Sequence, residues 1–431
     1  MKQLKVIVIG AGARGNTYSR IMKKMPEKYK VVGVAEPHEY KRAEFAKKHG
    51  IPEERCYAGW EEMLAEPKFA DIAMITTNDN GHFEPTMKAI ELGYDILLEK
   101  PVAQTARECA DIAIAAKKRG VRALVCHVLR YTPFYKTLKS IVESGMIGEV
   151  MSVDQVEAIG DTHFAHSYVR GNWHDSDATT PIVLAKTCHD LDIIQWLIGK
   201  PCTKVSSFGE LTYFNEKNAP EGAPVRCSTG ECPERERCPY DCFLTYVDDP
   251  YNMWYKPYFR NAVATHEDFT EEEYLAALDR TDYGLCVFHA NNNVPDHQVV
   301  SMQFEGGATA QLTFNAFNGG GRYTRIYGTK GEAYAHASRP EISVFTLTDR
   351  KWQSVPLIQT DESIVGGHGG GDFGIVYDLY DYLIGEYKGL DIAEIGISVD
   401  NHLIGFAAEE ARLESKVVDV REFGRRLGID G

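Results

Sequence analysis

The chain has 431 residues, of which 44% are hydrophobic and 25% are charged, and its formal net charge is −15 at pH 7. This length exceeds that of a usual single domain and can bury two cores, so we expect two domains. The acidic balance argues against nucleic acids and membrane surfaces as partners, because both call for a basic patch. No apolar run is long enough to span a bilayer, and the sequence opens on a strand and not on a signal peptide. We therefore expect a cytoplasmic protein whose ten cysteines are reduced.

A glycine-rich turn follows the first apolar segment. Residues 4–9 are typical of a buried parallel strand, and they lead directly into the sequence Gly10-Ala11-Gly12-Ala13-Arg14-Gly15. In such a turn Gly10 allows the tight bend, Gly12 lets a pyrophosphate approach the backbone, and Gly15 lets the next helix pack on its strand. Phosphates bound there lie at the helix N-terminus, where free N–H groups favour negative charge. The pattern predicts a dinucleotide site.

An acidic residue ends the second apolar segment. Residues 31–35 lead to Glu36, at the distance from the glycines where a carboxylate binds the adenosine ribose. A carboxylate accepts hydrogen bonds from two ribose hydroxyls and repels a ribose phosphate, so the sequence favours NAD over NADP. The alternative is a surface glutamate in a turn capped by Pro37. His38 and Arg42 leave some tolerance for NADP.

Strand-like and helix-like segments alternate through the rest of the first 127 residues. Strands are predicted at residues 71–76, 94–98 and 121–125. This alternation predicts a parallel, doubly wound α/β sheet that ends near Cys126. We therefore assign residues 1–127 to a Rossmann-type dinucleotide-binding domain.

The remaining residues, 128–431, follow a different pattern with strands at closer intervals. We predict a C-terminal α+β domain with a large, mostly antiparallel sheet that carries the substrate site. A cysteine-rich insertion is expected near residues 215–260. The clearest predicted elements are helices at residues 134–143, 372–385 and 398–414, a strand from Glu149, and a hairpin of residues 299–305 and 308–314.

Several motifs together resemble those of the Gfo/Idh/MocA oxidoreductases, which join an N-terminal Rossmann domain to a C-terminal α/β domain with a large open sheet. The resemblance spans nearly the whole chain, and its most specific motif is Glu99-Lys100-Pro101. It implies a homodimer or a homotetramer, because the exposed sheet of this family usually forms such assemblies. The other matching motifs are the glycine turn at 10–15, Glu36-Pro37, and residues 77–82, 130–133, 145–149 and 326–331.

The resemblance also implies a catalytic lysine and a row of residues along the cofactor. Lys100 would approach both the nicotinamide ribose and the substrate hydroxyl. Hydride leaves a carbinol carbon only as the hydroxyl proton is removed, and a lysine can take that proton and stabilise the developing alkoxide. The alternative for Lys100 is an exposed loop lysine. The predicted cofactor-binding residues are Gly10, Gly12, Ala13, Arg14, Gly15, Glu36, Thr76, Thr77, Asn78, His82, Glu99, Lys100 and Arg130.

The second catalytic element of the family is an aspartate four residues before a histidine or tyrosine on one helix, and this sequence departs from it. In residues 184–192, His189 takes the place of the histidine, but Ala185 stands where the aspartate is expected. Lys186 lies three residues before His189, on roughly the same helical face. We predict His189 as an acid/base or substrate ligand and Lys186 as its partner. The alternatives are a core histidine satisfied by the backbone and a solvated lysine at a helix end.

Two further segments carry polar residues suited to a sugar or polyol. Residues 163–174 hold histidines, an arginine and aromatic side chains whose faces suit sugar rings, and residues 366–372 place a histidine and a carboxylate among five glycines. Such glycine density indicates close approach to a ligand or a moving loop, whereas in the alternative Asp372 caps the next helix. The predicted substrate-binding residues are His163, Arg170, His174, His189, His368 and Asp372.

Four of the ten cysteines, Cys227, Cys232, Cys238 and Cys242, lie within sixteen residues. In a reducing compartment this clustering indicates a metal, and four thiolates suit a closed structural zinc site in an insertion of low apolar content. The spacings are wider than those of paired C-x-x-C motifs. An iron–sulfur cluster and unliganded cysteines are the alternatives.

These features together predict an NAD-dependent oxidoreductase that transfers a hydride between the nicotinamide and a secondary hydroxyl of a sugar, cyclitol or related polyol. The missing aspartate at position 185 keeps open a glycosidase that oxidises its sugar transiently with bound NAD and then eliminates the leaving group. A non-catalytic dinucleotide sensor is the third hypothesis. Lys100 and His189, which a sensor does not need, argue against it.

Overall fold

The first part of the chain forms a parallel sheet with helices on both faces. A computed structural model describes residues 2–248, 256–264, 270–358, 368–389 and 392–429. The strands are β1 (Leu4–Ile9), β2 (Tyr29–Ala35), β3 (Cys56–Tyr57), β4 (Ile72–Ile75), β5 (Asp95–Leu98) and β6 (Ala123–Val125). The helices are α1 (Ala13–Lys23), α2 (Glu39–His49), α3 (Trp60–Ala65), α4 (Phe83–Leu92) and α5 (Ala106–Arg119).

The strand order of this sheet places a ligand site beside β1. The order is β3-β2-β1-β4-β5-β6, and all neighbours are parallel. The chain therefore leaves β1 towards one edge and returns towards the other through β4. Open α/β sheets bind ligands outside the carboxyl ends of the strands at such a reversal. The doubly wound prediction is confirmed.

The second part of the chain forms a nine-stranded mixed sheet. Its strands are β7 (Val150–Ala158), β8 (Cys202–Glu210), β9 (His297–Phe304), β10 (Thr309–Asn315), β11 (Gly321–Gly328), β12 (Gly331–His336), β13 (Glu341–Thr346), β14 (Lys351–Pro356) and β15 (Val418–Asp419). The order is β14-β13-β12-β11-β7-β10-β9-β8-β15. Among these described strands only β7 and β10 pair in parallel. The predicted hairpin is formed by β9 and β10, and the prediction of a large, mostly antiparallel sheet is confirmed.

Helices and helical turns fill the connections of the second part. They are α6 (Pro133–Glu143), α7 (Asp161–Phe164), α8 (Ile182–Ala185), α9 (Cys188–Ile198), α10 (Lys256–Val263), α11 (Glu271–Arg280), α12 (Gly371–Ile384), α13 (Ile395–Glu414) and α14 (Val420–Arg426). Two π-helical turns cover Ala165–Val169 and Leu244–Asp248. In the part of the chain that the structure describes, no helix combines the length and apolar character needed to cross a membrane.

The late helices tie the two sheets together. Ile375, Val376 and Leu379 of α12 belong to the same apolar cluster as the strands of the first sheet. The Tyr29 hydroxyl donates a hydrogen bond to the Val376 carbonyl oxygen at 2.8 Å. Because α12 completes the core of the first sheet and its Asp372 bonds Arg14 of α1, the turn His368–Gly370 is held near the start of α1.

His402 of α13 makes the stability of the protein depend on pH. The ring is fully buried, and its Nε2 atom accepts a hydrogen bond from the Val102 N–H at 3.0 Å. Burial and the neighbouring His127 lower the pKa of His402 to about 3. The unfolded chain takes up this proton near pH 6.5, so between about pH 6.5 and pH 3 the unfolded state binds more protons than the folded state. The free energy of unfolding therefore decreases as the pH is lowered through this range.

Acidification from pH 7.5 to 5.0 is therefore expected to cost roughly 2 kcal/mol of unfolding free energy through His402 alone. The comparison is made by urea unfolding of the wild type and of His402→Gln at both pH values. The variant keeps an acceptor for the Val102 N–H and cannot titrate, so it should lose less stability on acidification. An equal loss in both proteins would contradict the assignment.

Candidate active site

The glycine-rich turn lies at the carboxyl end of β1 and leaves its backbone open. Gly10 has a φ of +94°, and a Cβ atom at this position would lie 2.6 Å from the Thr76 carbonyl oxygen. A Cβ atom on Gly15 would lie 2.2 Å from the carbonyl oxygen of Gly10. A Cβ atom on Gly12 would meet no atom within 4 Å. Two glycines thus permit close packing, while Gly12 leaves free space at the start of α1 for a phosphate group.

Glu36 lies beside this turn and is held by backbone amides. Its carboxylate accepts hydrogen bonds from the N–H groups of Ala11 at 2.8 Å and of His38 at 3.1 Å. Arg42 donates to the main-chain oxygen of Glu36 at 2.6 Å. The Glu36 carboxylate therefore lies beside the glycine turn, and the two backbone N–H groups set its orientation.

The loops after β4 and β5 meet at the same edge of the sheet. Thr76 donates through its hydroxyl to the Gly10 carbonyl oxygen at 2.7 Å, which ties β4 to the glycine turn. The His82 ring lies between two carbonyl oxygens, with Nδ1 2.7 Å from that of Pro101 and Nε2 3.2 Å from that of Thr77. Asn78 follows Thr77 and precedes the 3-10 turn Asp79–Gly81. The predicted residues Thr76, Thr77, Asn78 and His82 are thus brought to the edge where Glu36 and the glycines lie.

Arg14 links the first helix to two predicted site carboxylates. Its Nε atom donates to Glu99 at 2.6 Å, and its Nη2 atom donates to Asp372 at 2.6 Å. Tyr18 also donates to Glu99, at 2.8 Å. Although burial opposes the effect, the hydrogen bonds and charges of His368 and Arg14 hold the pKa of Asp372 well below its usual range. Both the Glu99-Lys100-Pro101 motif and the glycine-rich segment are therefore held against α1. Gly366 and Gly367 lie outside the described residues.

Lys100 occupies the centre of the arrangement. It follows β5, and the peptide bond between Lys100 and Pro101 is cis. The Lys100 Nζ atom donates to the carbonyl oxygen of Ala185 at 2.8 Å and lies 6.0 Å from the centre of the Trp173 ring. Position 185, where the resemblance expects an aspartate, thus contacts the lysine through its main chain.

The prediction that Lys186 and His189 share one helix was wrong. Helix α8 ends at Ala185, and α9 begins at Cys188. The Thr187 hydroxyl donates to the Val183 carbonyl oxygen at 2.7 Å, a local bond that competes with the helical backbone pattern. As a result Lys186 follows the end of α8, whereas His189 lies in the first turn of α9.

Lys186 enters a buried network of charges. It lies 3.2 Å from Glu157 of β7, whose other carboxylate oxygen is 2.6 Å from Arg322. Arg322 also pairs with Asp190 at 3.1 Å. The network contains two cations and two carboxylates and borders the His189 side of the site. Lys186 is therefore charge-balanced by Glu157 and does not stand free.

His189 belongs to a buried group that contains residues missed by the sequence analysis. The ligand atoms of His127, Cys188 and His189 all lie within 4.8 Å of one another. Both ring nitrogens of His127 and the Nδ1 atom of His189 are without a hydrogen-bond partner among the described residues. Burial, reinforced by the charge of Lys100, holds the pKa of His189 well below its usual range, so this ring is neutral at neutral pH. The ring of His368 lies 6.3 Å from that of His189.

The segment at residues 163–174 approaches Lys100 through Trp173, and we call this segment the wall beside Lys100. The Trp173 Nε1 atom donates to Asp79 at 3.0 Å, which joins the wall to the loop after β4. His163 is half-buried, and burial and the charge of Lys186 lower its pKa well below the usual value. His174 places its Nδ1 atom 2.8 Å from the Gly171 carbonyl oxygen. Of this segment, Trp173 is the residue seen in contact with Lys100.

Two predicted site residues have structural partners instead of facing Lys100. Arg170 donates to the carbonyl oxygens of Leu285 and Tyr240, both at 2.7 Å, and lines a separate cavity with cysteines. Arg130 forms two hydrogen bonds of 2.6 Å with Asp192, and both side chains are almost fully buried. Arg130 also borders a cavity of about 750 Å³ between α6 and α9. Both arginine side chains thus have partners within the protein, and neither contacts Lys100 in this structure.

The cysteine-rich insertion brings together three of its four predicted ligands. Cys227, Cys232 and Cys238 line one small cavity together with Cys286, which comes from further along the chain. Cys242 lies behind them, and its N–H donates to the Cys227 sulfur at 3.3 Å. All ten cysteines have free thiols.

Comparison with known proteins identifies the family. Residues 4–127 match the family model described as the oxidoreductase family, NAD-binding Rossmann fold, and residues 139–369 match the C-terminal alpha/beta domain of the same oxidoreductases. The chain belongs to the Gfo/Idh/MocA oxidoreductase family. It is therefore an NAD(P)-dependent oxidoreductase with an N-terminal dinucleotide-binding domain.

Individual relatives agree with this family membership. The chain is 26% identical over 395 residues to YteT of Bacillus subtilis (strain 168), named as an oxidoreductase, and the match covers 86% of this chain and 88% of YteT. It is 24% identical over 216 residues to an inositol 2-dehydrogenase/D-chiro-inositol 3-dehydrogenase of Lactiplantibacillus plantarum, covering 50% of this chain and 58% of that protein. The fold matches levoglucosan dehydrogenase in complex with NADH and L-sorbose, with a TM-score of 0.71, 19% identity, and coverage of 97% and 99% of the two chains.

Proposed function

We propose that this oxidoreductase transfers a hydride between NAD and a secondary hydroxyl of a sugar, a cyclitol or a related polyol. The observation that carries the proposal is the Lys100 amine, held by the Ala185 carbonyl beside the face of Trp173. An aromatic ring can pack on the C–H face of a sugar while the amine contacts its hydroxyl. The names of two relatives, an inositol 2-dehydrogenase and a levoglucosan dehydrogenase, support the same substrate class.

The residues at the sheet edge fit NAD. When bound, the nicotinamide accepts the hydride, and the chain has to hold and orient the dinucleotide. The open backbone at Gly12 and Ala13 suits the pyrophosphate, and the amide-held carboxylate of Glu36 suits the ribose hydroxyls. We propose that Thr76, Thr77, Asn78 and His82 continue this surface towards Lys100.

Lys100 is proposed to move the substrate proton. In the direction of oxidation the Lys100 amine takes the hydroxyl proton as the hydride leaves, and its charge stabilises the oxygen. The Ala185 carbonyl accepts one N–H of Lys100 and so orients the amine. His189, kept neutral by burial, is proposed to hydrogen-bond the same substrate oxygen. We retain His163, His174, His368 and Asp372 as proposed substrate contacts, and Lys186 as a proposed partner of His189.

The direct test follows NADH absorbance while the protein is mixed with NAD and a panel of free sugars, inositols and aryl glycosides. NADH that accumulates with a polyol supports the proposal and begins to define the substrate. Release of the aryl group without NADH would replace it with the glycosidase hypothesis. Binding of NAD without any turnover across the panel would favour a sensor.

Glu36 is expected to set the preference for NAD. In Glu36→Gln the carboxylate charge is lost while the shape is kept, so hydrogen bonds to the ribose hydroxyls weaken and the repulsion of a ribose phosphate disappears. We expect the ratio of kcat/KM for NAD to that for NADP to fall by about 10-fold or more, because a charged hydrogen bond is worth about 1.5–3 kcal/mol. Steady-state kinetics with both cofactors measures the ratio. Glu39→Gln, at an exposed position of α2, is the matched control, and an unchanged ratio in Glu36→Gln would contradict the role.

We further propose that the protein assembles as a homodimer or homotetramer through its nine-stranded sheet. Three large apolar side chains of this sheet are strongly exposed: Phe208 at 68%, Trp352 at 54% and Met151 at 46%. Exposed apolar groups on an extended sheet favour association with a second copy. Light scattering of the wild type and of Phe208→Ser tests the assembly.

A further inference from the structure

Three buried side chains bring their ligand atoms together at the start of α9. One ligand atom each of His127, Cys188 and His189 lies within 4.8 Å of the other two. His127 follows β6, whereas Cys188 and His189 begin α9. Among the residues that the structure describes, no other histidines, cysteines or carboxylates form such a group. The predicted metal ligands of the insertion therefore do not approach one another closely enough to share one ion; they are Cys227, Cys232, Cys238 and Cys242.

The ring nitrogens of this group lack partners within the protein. Both nitrogens of His127 and the Nδ1 atom of His189 are buried, and none of them has a hydrogen-bond partner among the described residues. The His127 side chain is 0% exposed and that of His189 is 7% exposed. Leaving a buried polar atom unpaired costs about 1–3 kcal/mol, so each such atom calls for an explanation. Three unpaired nitrogens in one group indicate that a ligand completes it.

The elements that carry the group are fixed against each other by other bonds. Arg130 follows His127 by three residues and donates two hydrogen bonds of 2.6 Å to Asp192 of α9. The ring centres of His127 and His189 are 5.8 Å apart, and the rings meet edge to face. Ligand atoms of a tetrahedral zinc site, with Zn–N of about 2.0–2.1 Å and Zn–S of about 2.3 Å, lie roughly 3.3–3.6 Å apart. Small side-chain rotations therefore bring the three ligand atoms to this spacing.

The protonation of the group is compatible with a metal ion. Burial lowers the pKa of His127 and holds that of His189 well below its usual range, so both rings are uncharged and can donate a lone pair. Burial raises the pKa of the Cys188 thiol to about 12; the charge of Lys100 opposes this shift, and nearby carboxylates add to it. A thiol that coordinates a metal ion loses its proton outright, and the same carboxylates stabilise the cation that replaces this proton.

We propose that His127, Cys188 and His189 bind one Zn²⁺ ion. A thiolate and two imidazoles are a typical donor set for zinc, and three protein ligands leave one position for a water molecule. The ion takes one ring nitrogen of His189 and leaves the proton on the other, which fixes both the tautomer and the orientation of the ring. This last step rests on the proposed function, in which that N–H donates to the substrate oxygen beside Lys100.

Metal analysis of Cys188→Ser and of a matched cysteine variant tests the site. Full-length protein is purified anaerobically with reductant, supplied with Zn²⁺, desalted and analysed for zinc. We expect Cys188→Ser to contain about one zinc ion per chain fewer than the wild type, and Cys202→Ser to match the wild type. Cys202 is also buried, and its thiol contacts the carbonyl oxygens of Lys204 and Gln303, which a serine can still bind. Equal zinc contents in Cys188→Ser and the wild type would overturn the proposal.

X-ray absorption at the zinc edge of the wild-type protein covers the case in which Cys188→Ser does not fold. We expect one sulfur atom at about 2.3 Å and nitrogen or oxygen atoms, two of them from imidazoles, at about 2.0–2.1 Å. A shell of sulfur atoms alone would place the ion in the cysteine-rich insertion, and a shell without sulfur would exclude Cys188. Either result would contradict the proposed ligand set.

The effect on activity is measured separately, because neither zinc content nor X-ray absorption involves a substrate. With a polyol that is turned over, removal of zinc by a chelator is expected to lower kcat/KM by about 10- to 100-fold, since His189 loses the orientation of its hydrogen bond to the substrate oxygen. The Kd for NADH should change little, and added Zn²⁺ should restore the rate. An unchanged kcat/KM in zinc-free protein would refute the positioning of His189, whereas zinc-loaded protein without turnover of any polyol would contradict the proposed function alone.

Discussion

Lys100→Ala is expected to lower kcat/KM by about 10³- to 10⁴-fold while NADH binding changes little. This range follows from the loss of both the general base and the cation that stabilises the substrate oxygen. The Lys100 side chain contacts Ala185 and lies beside Trp173, whereas the glycine turn and Glu36, the proposed dinucleotide site, are held together without it. Substrate turnover and NADH fluorescence titration measure the two effects separately.

The nature of the lysine's contribution is resolved by a second substitution. Lys100→Arg keeps a positive charge and a donor for the Ala185 carbonyl, but a guanidinium does not give up its proton in proteins. If Lys100 acts as a base, this variant should be nearly as inactive as Lys100→Ala. Lys117→Ala, on the exposed face of α5, is the control and should behave as the wild type. A normal rate in Lys100→Ala would end the assignment.

Asp192→Ala is expected to lower the free energy of unfolding by about 3–5 kcal/mol. Asp192 accepts two hydrogen bonds of 2.6 Å from Arg130 and one of 2.8 Å from Asn401, and its side chain is only 1% exposed. Removing the carboxylate takes two charged hydrogen bonds from the buried guanidinium of Arg130 and one from Asn401. Chemical denaturation at neutral pH measures the change.

Two comparisons separate the cost of losing one partner of this buried pair from the value of the pair as a whole. The double variant Arg130→Met with Asp192→Leu removes both charges, and it should be clearly more stable than Asp192→Ala. Glu91→Ala breaks an exposed pair with Lys88 and should change stability by less than about 1 kcal/mol. Equal losses of stability in Asp192→Ala and the double variant would contradict this prediction.

The first sheet and the cofactor edge were predictable because their signals are local. The glycine turn, Glu36 and the Glu99-Lys100-Pro101 motif each lie within a few residues of a strand end, and parallel strands bring their carboxyl ends to one edge. Arg14 was predicted at this edge as well. That it reaches Asp372, however, depends on the packing of α12 against α1, which no local pattern contains.

The substrate side was less predictable because it is built from long-range contacts. Trp173 was noted only as one of several aromatic residues, and its position over Lys100 depends on the bond to Asp79. The break between α8 and α9 was missed because apolar spacing alone does not reveal the bond of the Thr187 hydroxyl to the preceding turn. Arg170 was assigned to the substrate because its neighbours in sequence are polar and aromatic.

The amino-acid sequence by itself determined the fold class and predicted the cofactor edge and the central lysine, since strand periodicity, glycine conformation and charge at strand ends are properties of short segments. Only the tertiary structure decided which side chains meet. It gave Lys100 the carbonyl of Ala185, Arg130 the carboxylate of Asp192, and the cysteine cavity its fourth thiol from Cys286. Such pairings depend on how β-sheets and helices that are distant in sequence pack together. The free energy of this packing comes from contacts throughout the chain, so no single motif predicts it.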